Sequence, residues 1–140
     1  MIVLDSSFLI AYHNRRDVHH AEASAVMDRF LEGEWGAGLL PEYVFLEVTT
    51  VLAARLGLEA AVSAGRSLLE AQELEFVPCS EVFLEVWDVF RSQTGALSFA
   101  DAAIVAIARR RGVPEVATFD ADFRAIEGIG VVPENGQAKP

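Results

Sequence analysis

The sequence predicts an α/β fold: a three-layer α/β/α sandwich around a mainly parallel sheet of about five strands. Three observations predict it. The short apolar runs that read as strands lack the in-and-out alternation of a half-exposed sheet, so both faces are covered. Stretches with helical spacing separate them, as the crossovers of a parallel sheet require. The chain has 140 residues, 52% of them hydrophobic. A chain of that length forms a single domain and buries roughly 68–70% of its unfolded surface. One domain over residues 1–133 is expected, followed by a polar, mobile tail at 134–140.

The elements follow in order. Residues 1–5 end the run Ile-Val-Leu on Asp5 and read as a buried strand. SSFLIAYHN, 6–14, is a helix with Ser6 or Ser7 as N-cap. RRDVHH breaks the pattern, and a helix over 18–32 begins after Asp17 as N-cap, with Ala21, Ala25, Val26, Phe30 and Leu31 at helical spacing. Glycines and a proline bracket a short strand near 35–40. Pro41, a favoured first-turn residue, opens a helix that runs to Leu56 before Gly57. A helix over 58–73 precedes the strand LEFVP, 74–78, and Ser80 caps a helix that reaches Thr94. Ser98 caps the helix Phe99–Arg111, with Gly112 and Pro114 as its stop. EVATF, 115–119, is a strand, DADFRAIEG a short helix, and IGVVP, 129–133, the last strand.

Charge and cysteine content narrow the function classes. Lys plus Arg number 11 against 21 for Asp plus Glu, a net charge of −10, which disfavours non-specific binding to nucleic acid. Cys79 is the only cysteine, so no intramolecular disulfide forms and a reducing compartment fits. No secretory signal is read at the amino terminus. The longest purely apolar run, 102–108, is far short of the roughly 20 residues that span a bilayer. A soluble, cytoplasmic protein with no membrane contact is expected.

Several acids sit in apolar company. Asp5 stands at the carboxyl end of the first strand, where open α/β sheets place ligands; it also suits the N-cap of the next helix. Glu47 has Tyr43, Val44, Thr50 and Val51 at helical distance, so it either lies on a buried face and needs a partner or points to water. Asp101 belongs to a helix that is apolar nearly all round, hence buried; with Ser98 it also resembles a capping box. Asp120 fits the N-cap of the following turn, and Asp122 fits a first-turn acid. Singly, each has a local explanation. As a set at strand ends and helix starts, they repel one another and call for a cation. The donors are all oxygen, which selects Mg²⁺ or Mn²⁺ over Zn²⁺. Such an ion binds phosphate oxygens and activates water in phosphoester hydrolysis.

VLDSSFLIAY, Glu47, LSFADAAIVAIARRRG and ATFDADF, in this order and spacing, resemble the PIN domain, and most of all the VapC-type toxins of toxin–antitoxin pairs. The resemblance spans nearly the whole chain. It implies a metal-dependent endoribonuclease that cuts single-stranded or looped RNA. Asp5, Glu47 and Asp101 match the core acids of the family, Asp120 or Asp122 the fourth, and Ser6 or Ser7 the hydroxyl after the first acid. A homodimer is implied, as is an antitoxin that occupies the acidic groove with an Arg or Lys. Arg15 and Arg16 flank such a groove as RNA contacts; Arg109, Arg110 and Arg111 read as a solvated helix end. His13, His19 and His20 read as a polar helix start.

Two rival classes differ in what they need. A phosphotransfer or receiver domain also sets Asp at a strand end, but it requires a second adjacent acid and a lysine on a later strand. Here Ser6 and Ser7 follow Asp5, and the only lysine is Lys139. A catalytically silent module that binds RNA or protein is the other reading, with the acids serving as caps.

Overall fold

The computed structural model describes residues 1–134; the part of the expected tail at 135–140 lies outside the described residues. The strands are β1 (Ile2–Leu4), β2 (Gly38–Pro41), β3 (Leu74–Val77), β4 (Glu115–Ala117) and β5 (Gly130–Val132). The α-helices are α1 (Ser6–His13), α2 (His20–Leu31), α3 (Glu42–Leu56), α4 (Leu58–Glu70), α5 (Phe83–Ser92) and α6 (Phe99–Arg111). All pairings are parallel, in the order β3-β2-β1-β4-β5. The sheet is therefore wholly parallel rather than mainly so.

The strand order places the helices. From β1 the chain steps outward through β2 to β3, then returns past β1 to β4 and β5. Right-handed crossovers in opposite directions put their helices on opposite faces, which makes the three layers. Both faces of β1 are covered, and Ile2, Val3 and Leu4 are buried. The order reverses between β1 and β4, and the site lies beyond their carboxyl ends. Helix α6 is the inner helix: Ala102 to Ala108 are all buried.

Several expected boundaries move, for local reasons. Helix α2 starts at His20 rather than at 18, because Asp17 does not cap it. The Asp17 carboxylate accepts from the His19 N–H (2.8 Å) and its carbonyl from the His20 N–H (3.0 Å), building a turn just before the helix. The second strand is Gly38–Pro41, not 35–40, since Gly33 and Gly36 turn the chain at positive φ (94° and 75°). Gly38 is needed for space: a Cβ there would lie 2.9 Å from both Leu74 Cδ2 and Phe30 Cζ. Pro41 ends β2 and occupies the N-cap position of α3 instead of opening that helix. Ser80 does not cap α5; Cys79–Val82 forms a 3₁₀ turn first. Helix α4 stops at Glu70, where Ala71 turns extended. The expected helix over 120–128 is a 3₁₀ turn at Ala121–Ala125. Among the described residues, no helix is long and apolar enough to cross a membrane.

Candidate active site

Asp5 leaves β1 in extended conformation (φ −93°, ψ 157°) at the N-cap position of α1, yet its side chain makes no cap bond. It is 3% exposed. The pairing of Leu4 with Ala117 carries one step further and sets Thr118 beside it. Thr118 Oγ1 donates to Asp5 Oδ2 at 2.6 Å, and Ser7 Oγ donates to the same oxygen at 2.8 Å. Each hydroxyl has one proton, and both go to the carboxylate; the 3.1 Å between the two hydroxyls is then a contact of their oxygens. Their lone pairs are filled from the backbone. The Phe119 N–H donates to Ser7 Oγ and the Asp120 N–H to Thr118 Oγ1, each at 2.9 Å. Two amide-to-hydroxyl chains thus converge on one carboxylate oxygen, and bonds in such chains polarise one another. Of the two candidate serines, Ser7 makes the bond; Ser6 is buried in the first turn of α1.

Burial pushes the Asp5 carboxyl above the usual carboxylate range. The bonds from Thr118, Ser7 and the Ser6 backbone act the other way, and the charge of Glu47 adds to the rise. Asp101 sits at the third position of α6. Ser98 Oγ accepts from the Asp101 N–H, and Asp101 Oδ2 accepts from the Ser98 N–H, each at 3.1 Å. The capping box expected as a rival to a site role is real. It does not exhaust Asp101. Burial raises that carboxyl too, against the Ser98 bonds, and the charges of Asp5 and Asp120 raise it further. The carboxylate therefore caps the helix and feels the charges of other acids at once.

Of the remaining candidates, Glu47 and Asp120 act on this pair through their charge, and Asp122, Arg15 and Arg16 lie elsewhere. Glu47 is exposed on α3 between the buried Val44 and Val48, and it reaches Asp5 through its charge. Asp120 caps the 3₁₀ turn by accepting from the Asp122 N–H (2.9 Å), with its charge within reach of Asp101. Asp122 is exposed and lines a separate cleft of about 480 Å³ with Gln93, Leu97 and Arg109. Arg15 and Arg16 are exposed beyond the far end of α1 from Ser7. Arg110 pairs with Glu85, and Arg111 grips Glu75 with two bonds (2.9 and 2.8 Å). His19 stacks on Phe119 with ring centres 4.3 Å apart, and His20 Nδ1 lies 2.8 Å from the Ala11 carbonyl oxygen. Thr118 is the residue that sequence reasoning missed. Its signal was a hydroxyl in the apolar run EVATF, two residues before Asp120.

Fitness for a divalent ion is mixed. The donors are carboxylate and hydroxyl oxygens, the set that Mg²⁺ and Mn²⁺ take. The buried Asp5 and half-buried Asp101 meet hydroxyls and backbone amides, and their raised carboxyls are what a cation would relieve. As they stand, however, no three His, Cys, Asp or Glu side chains among the described residues gather into a group able to hold an ion.

A family model described as "PIN domain" matches residues 2–129. The chain is 29% identical over 135 residues to "23S rRNA-specific endonuclease VapC20" of Mycobacterium tuberculosis, covering 96% of this chain and 100% of that one. It is 29% identical over 131 residues to "Ribonuclease VapC26" of the same species, covering 92% and 94%. The crystal structure of Mycobacterium tuberculosis VapC20, described as a sarcin-ricin loop cleaving toxin, superposes with a TM-score of 0.77 at 26% identity, over 89% of this chain and 94% of that one. A toxin–antitoxin complex from Klebsiella pneumoniae shares the fold, with a TM-score of 0.65 at 18% identity over 93% and 96%.

Proposed function

Because the chain belongs to the PIN domain family, we propose that it is a Mg²⁺- or Mn²⁺-dependent endoribonuclease and the toxin of a toxin–antitoxin pair. The observation that carries this reading is Asp5, a buried carboxylate at the switch point of the sheet, held by Ser7 and Thr118 and within reach of the charges of Glu47 and Asp101. The names of the relatives support a nuclease acting on RNA. Asp5, Asp101, Glu47 and Asp120 are the residues that would hold the ion. When bound, the ion supplies positive charge to phosphate oxygens and makes water a better nucleophile.

The protein's own residues do the positioning. Ser7 and Thr118 fix the Asp5 carboxylate and favour its ionised form. Ser98 fixes Asp101 through two bonds at the start of a buried helix. Glu47 and Asp120 approach from α3 and from the end of β4 and add negative charge. Ionising several neighbouring acids is unfavourable unless a cation shares the site, so metal loading and carboxylate ionisation are coupled.

An antitoxin would supply its own cation, an Arg set against Asp5 and Asp101, because the guanidinium fork matches carboxylates. A homodimer would cover the exposed Phe83, Leu84 and Trp87 of α5; Leu84→Glu should then convert a dimer to a monomer in sedimentation. The deciding experiment is cleavage of RNA by the purified chain, free of any antitoxin, with Mg²⁺ or Mn²⁺ and in EDTA. Cleavage with metal, lost in EDTA and in Asp5→Asn and Asp101→Asn, is the expected result. Binding of RNA without cleavage in any metal would favour the silent module instead.

A further inference from the structure

Four arginines of this chain stand in carboxylate pairs, and three others share one surface. Arg29, Arg91, Arg110 and Arg111 each pair with a carboxylate: Glu34, Asp88, Glu85 and Glu75. Arg15, Arg16 and Arg55 meet none among the described residues. All three are exposed, and all three line one concavity of about 450 Å³, with His13, Asn14 and Leu56. The chain carries 21 acids against 11 basic residues, yet among the described residues no acid lines this surface. The concavities around Arg66 and Arg109, by contrast, also carry Glu59, Glu70, Asp122 or Glu127.

The local structure explains how the three charges come together. Helix α1 ends at His13, and the buried Asn14 takes its C-cap position. Asn14 Oδ1 accepts from the Arg16 N–H (3.0 Å) and the Asn14 carbonyl from the Asp17 N–H (2.9 Å), so a side-chain-closed turn holds Arg15 and Arg16 outward. Arg55 comes from the last turn of α3, a helix packed along α1. Arginine near a helix C-terminus has a reason of its own, since the carbonyl end carries about minus half a charge. Two such ends sum to about minus one, against three full positive charges, so the surface keeps a surplus of about two.

We propose that Arg15, Arg16 and Arg55 form a phosphate-binding subsite for the RNA backbone, the place where an acidic protein holds a polyanion. The assignment rests on the endoribonuclease reading for the identity of the polyanion. Helix α1 links this subsite to the acids: Ser7 is in its first turn and Asn14 follows its last. Eight residues at about 1.5 Å each span about 12 Å. A single strand held at the arginines thus passes along α1 to Asp5. Guanidinium groups suit the task because they bind phosphate in a bidentate way.

The test is binding of a short, fluorescein-labelled single-stranded RNA to the full chain in EDTA, across a series of salt concentrations. Arg55→Ala should weaken binding several-fold. The triple variant Arg15→Ala, Arg16→Ala, Arg55→Ala should weaken it more than tenfold and flatten the slope of log affinity against log salt by about 2, since each phosphate contact on a single strand contributes about 0.7. Replacing the three by lysine should restore much of the slope, and Arg66→Ala should change nothing. Unchanged melting curves would establish that the variants fold. A folded triple variant with wild-type affinity and slope would overturn the subsite. So would a poly-glutamate peptide that binds wild type more tightly than RNA and loses binding in the triple variant, which would mark an acidic protein as the occupant. Because binding is read without metal, the two readings fail separately. Arginine-dependent binding without cleavage in Mg²⁺ or Mn²⁺ keeps the subsite and removes the nuclease. Cleavage with unchanged kcat/KM in the triple variant keeps the nuclease and removes the subsite.

Discussion

Thr118 Oγ1 stands between the Asp120 amide and the Asp5 carboxylate, accepting a hydrogen bond from the amide and donating one to the carboxylate. Thr118→Val keeps the shape and deletes both bonds. Hydrogen bonds to charged groups are worth about 1.5–3 kcal/mol, and a loss of that size at pH 7 is expected in denaturant unfolding. The bond also favours the ionised acid, so the acid limb of the cleavage pH profile should move to higher pH. Thr118→Ser should move neither. A valine variant with an unmoved limb would make Thr118 a packing residue only. Asp5 and Asp101 allow a linkage test. Both carboxyls are raised in the folded state, above an unfolded value of about 3.9. The folded state therefore binds protons more tightly, and the sign is the reverse of a salt-bridged acid. Their contribution is most favourable below the unfolded value and is lost as pH rises through the folded one. Metal-free Asp5→Asn and Asp101→Asn should melt higher than metal-free wild type at neutral pH, with the gap closing below about pH 4. The rise at Asp101 persists although the Ser98 bonds oppose it, so burial and repulsion outweigh the cap. A destabilised Asp101→Asn at neutral pH would reverse that ranking.

At the scale of elements, α6 joins stability to the site. Ser98→Ala removes the acceptor of the Asp101 N–H and should cost about 0.5–2 kcal/mol. It should also lower cleavage, because Asp101 loses part of its anchoring, and Ser98→Thr should recover both. Normal cleavage in a destabilised Ser98→Ala would show that the cap serves the helix alone. Helix α6 was legible to the residue, Phe99–Arg111, because Ser98, Gly112 and Pro114 are strong local signals. Helices α2 and α5 were less so. Asp17 spends its carboxylate on a turn and Cys79–Val82 winds as 3₁₀, choices that neighbouring groups decide and periodicity does not report.

For the whole molecule, a bound metal would be linked to the fold. An ion that binds only the native state stabilises by about 2.7 kcal/mol at a hundred times its Kd. Wild-type melting temperature should therefore rise with Mg²⁺ or Mn²⁺, and Asp101→Asn should gain much less. Ca²⁺ should raise it as well but support cleavage poorly, since its larger, looser shell holds water less strictly. A melting temperature indifferent to all three ions, with cleavage intact in EDTA, would remove the metal from the mechanism.

The sequence by itself determined the three layers, the order of the elements and the position of Asp5, Asp101 and Asp120 at strand ends and helix starts. Apolar runs, helical spacing and caps are local quantities, and each is written within a few residues. Only the tertiary structure decided the rest. The parallel register of β1 and β4 sets Thr118 against Asp5 across 113 positions of chain. The first turn of α1 aims Ser7 rather than Ser6 at that carboxylate. The 3₁₀ turn after β4 brings the charge of Asp120 to Asp101 and lines another cleft with Asp122. Helix packing carries Arg55 to Arg15 and Arg16. Each of these depends on which distant segments share an edge or a helix end. Packing of the buried core selects those neighbours, and no spacing along the chain encodes them.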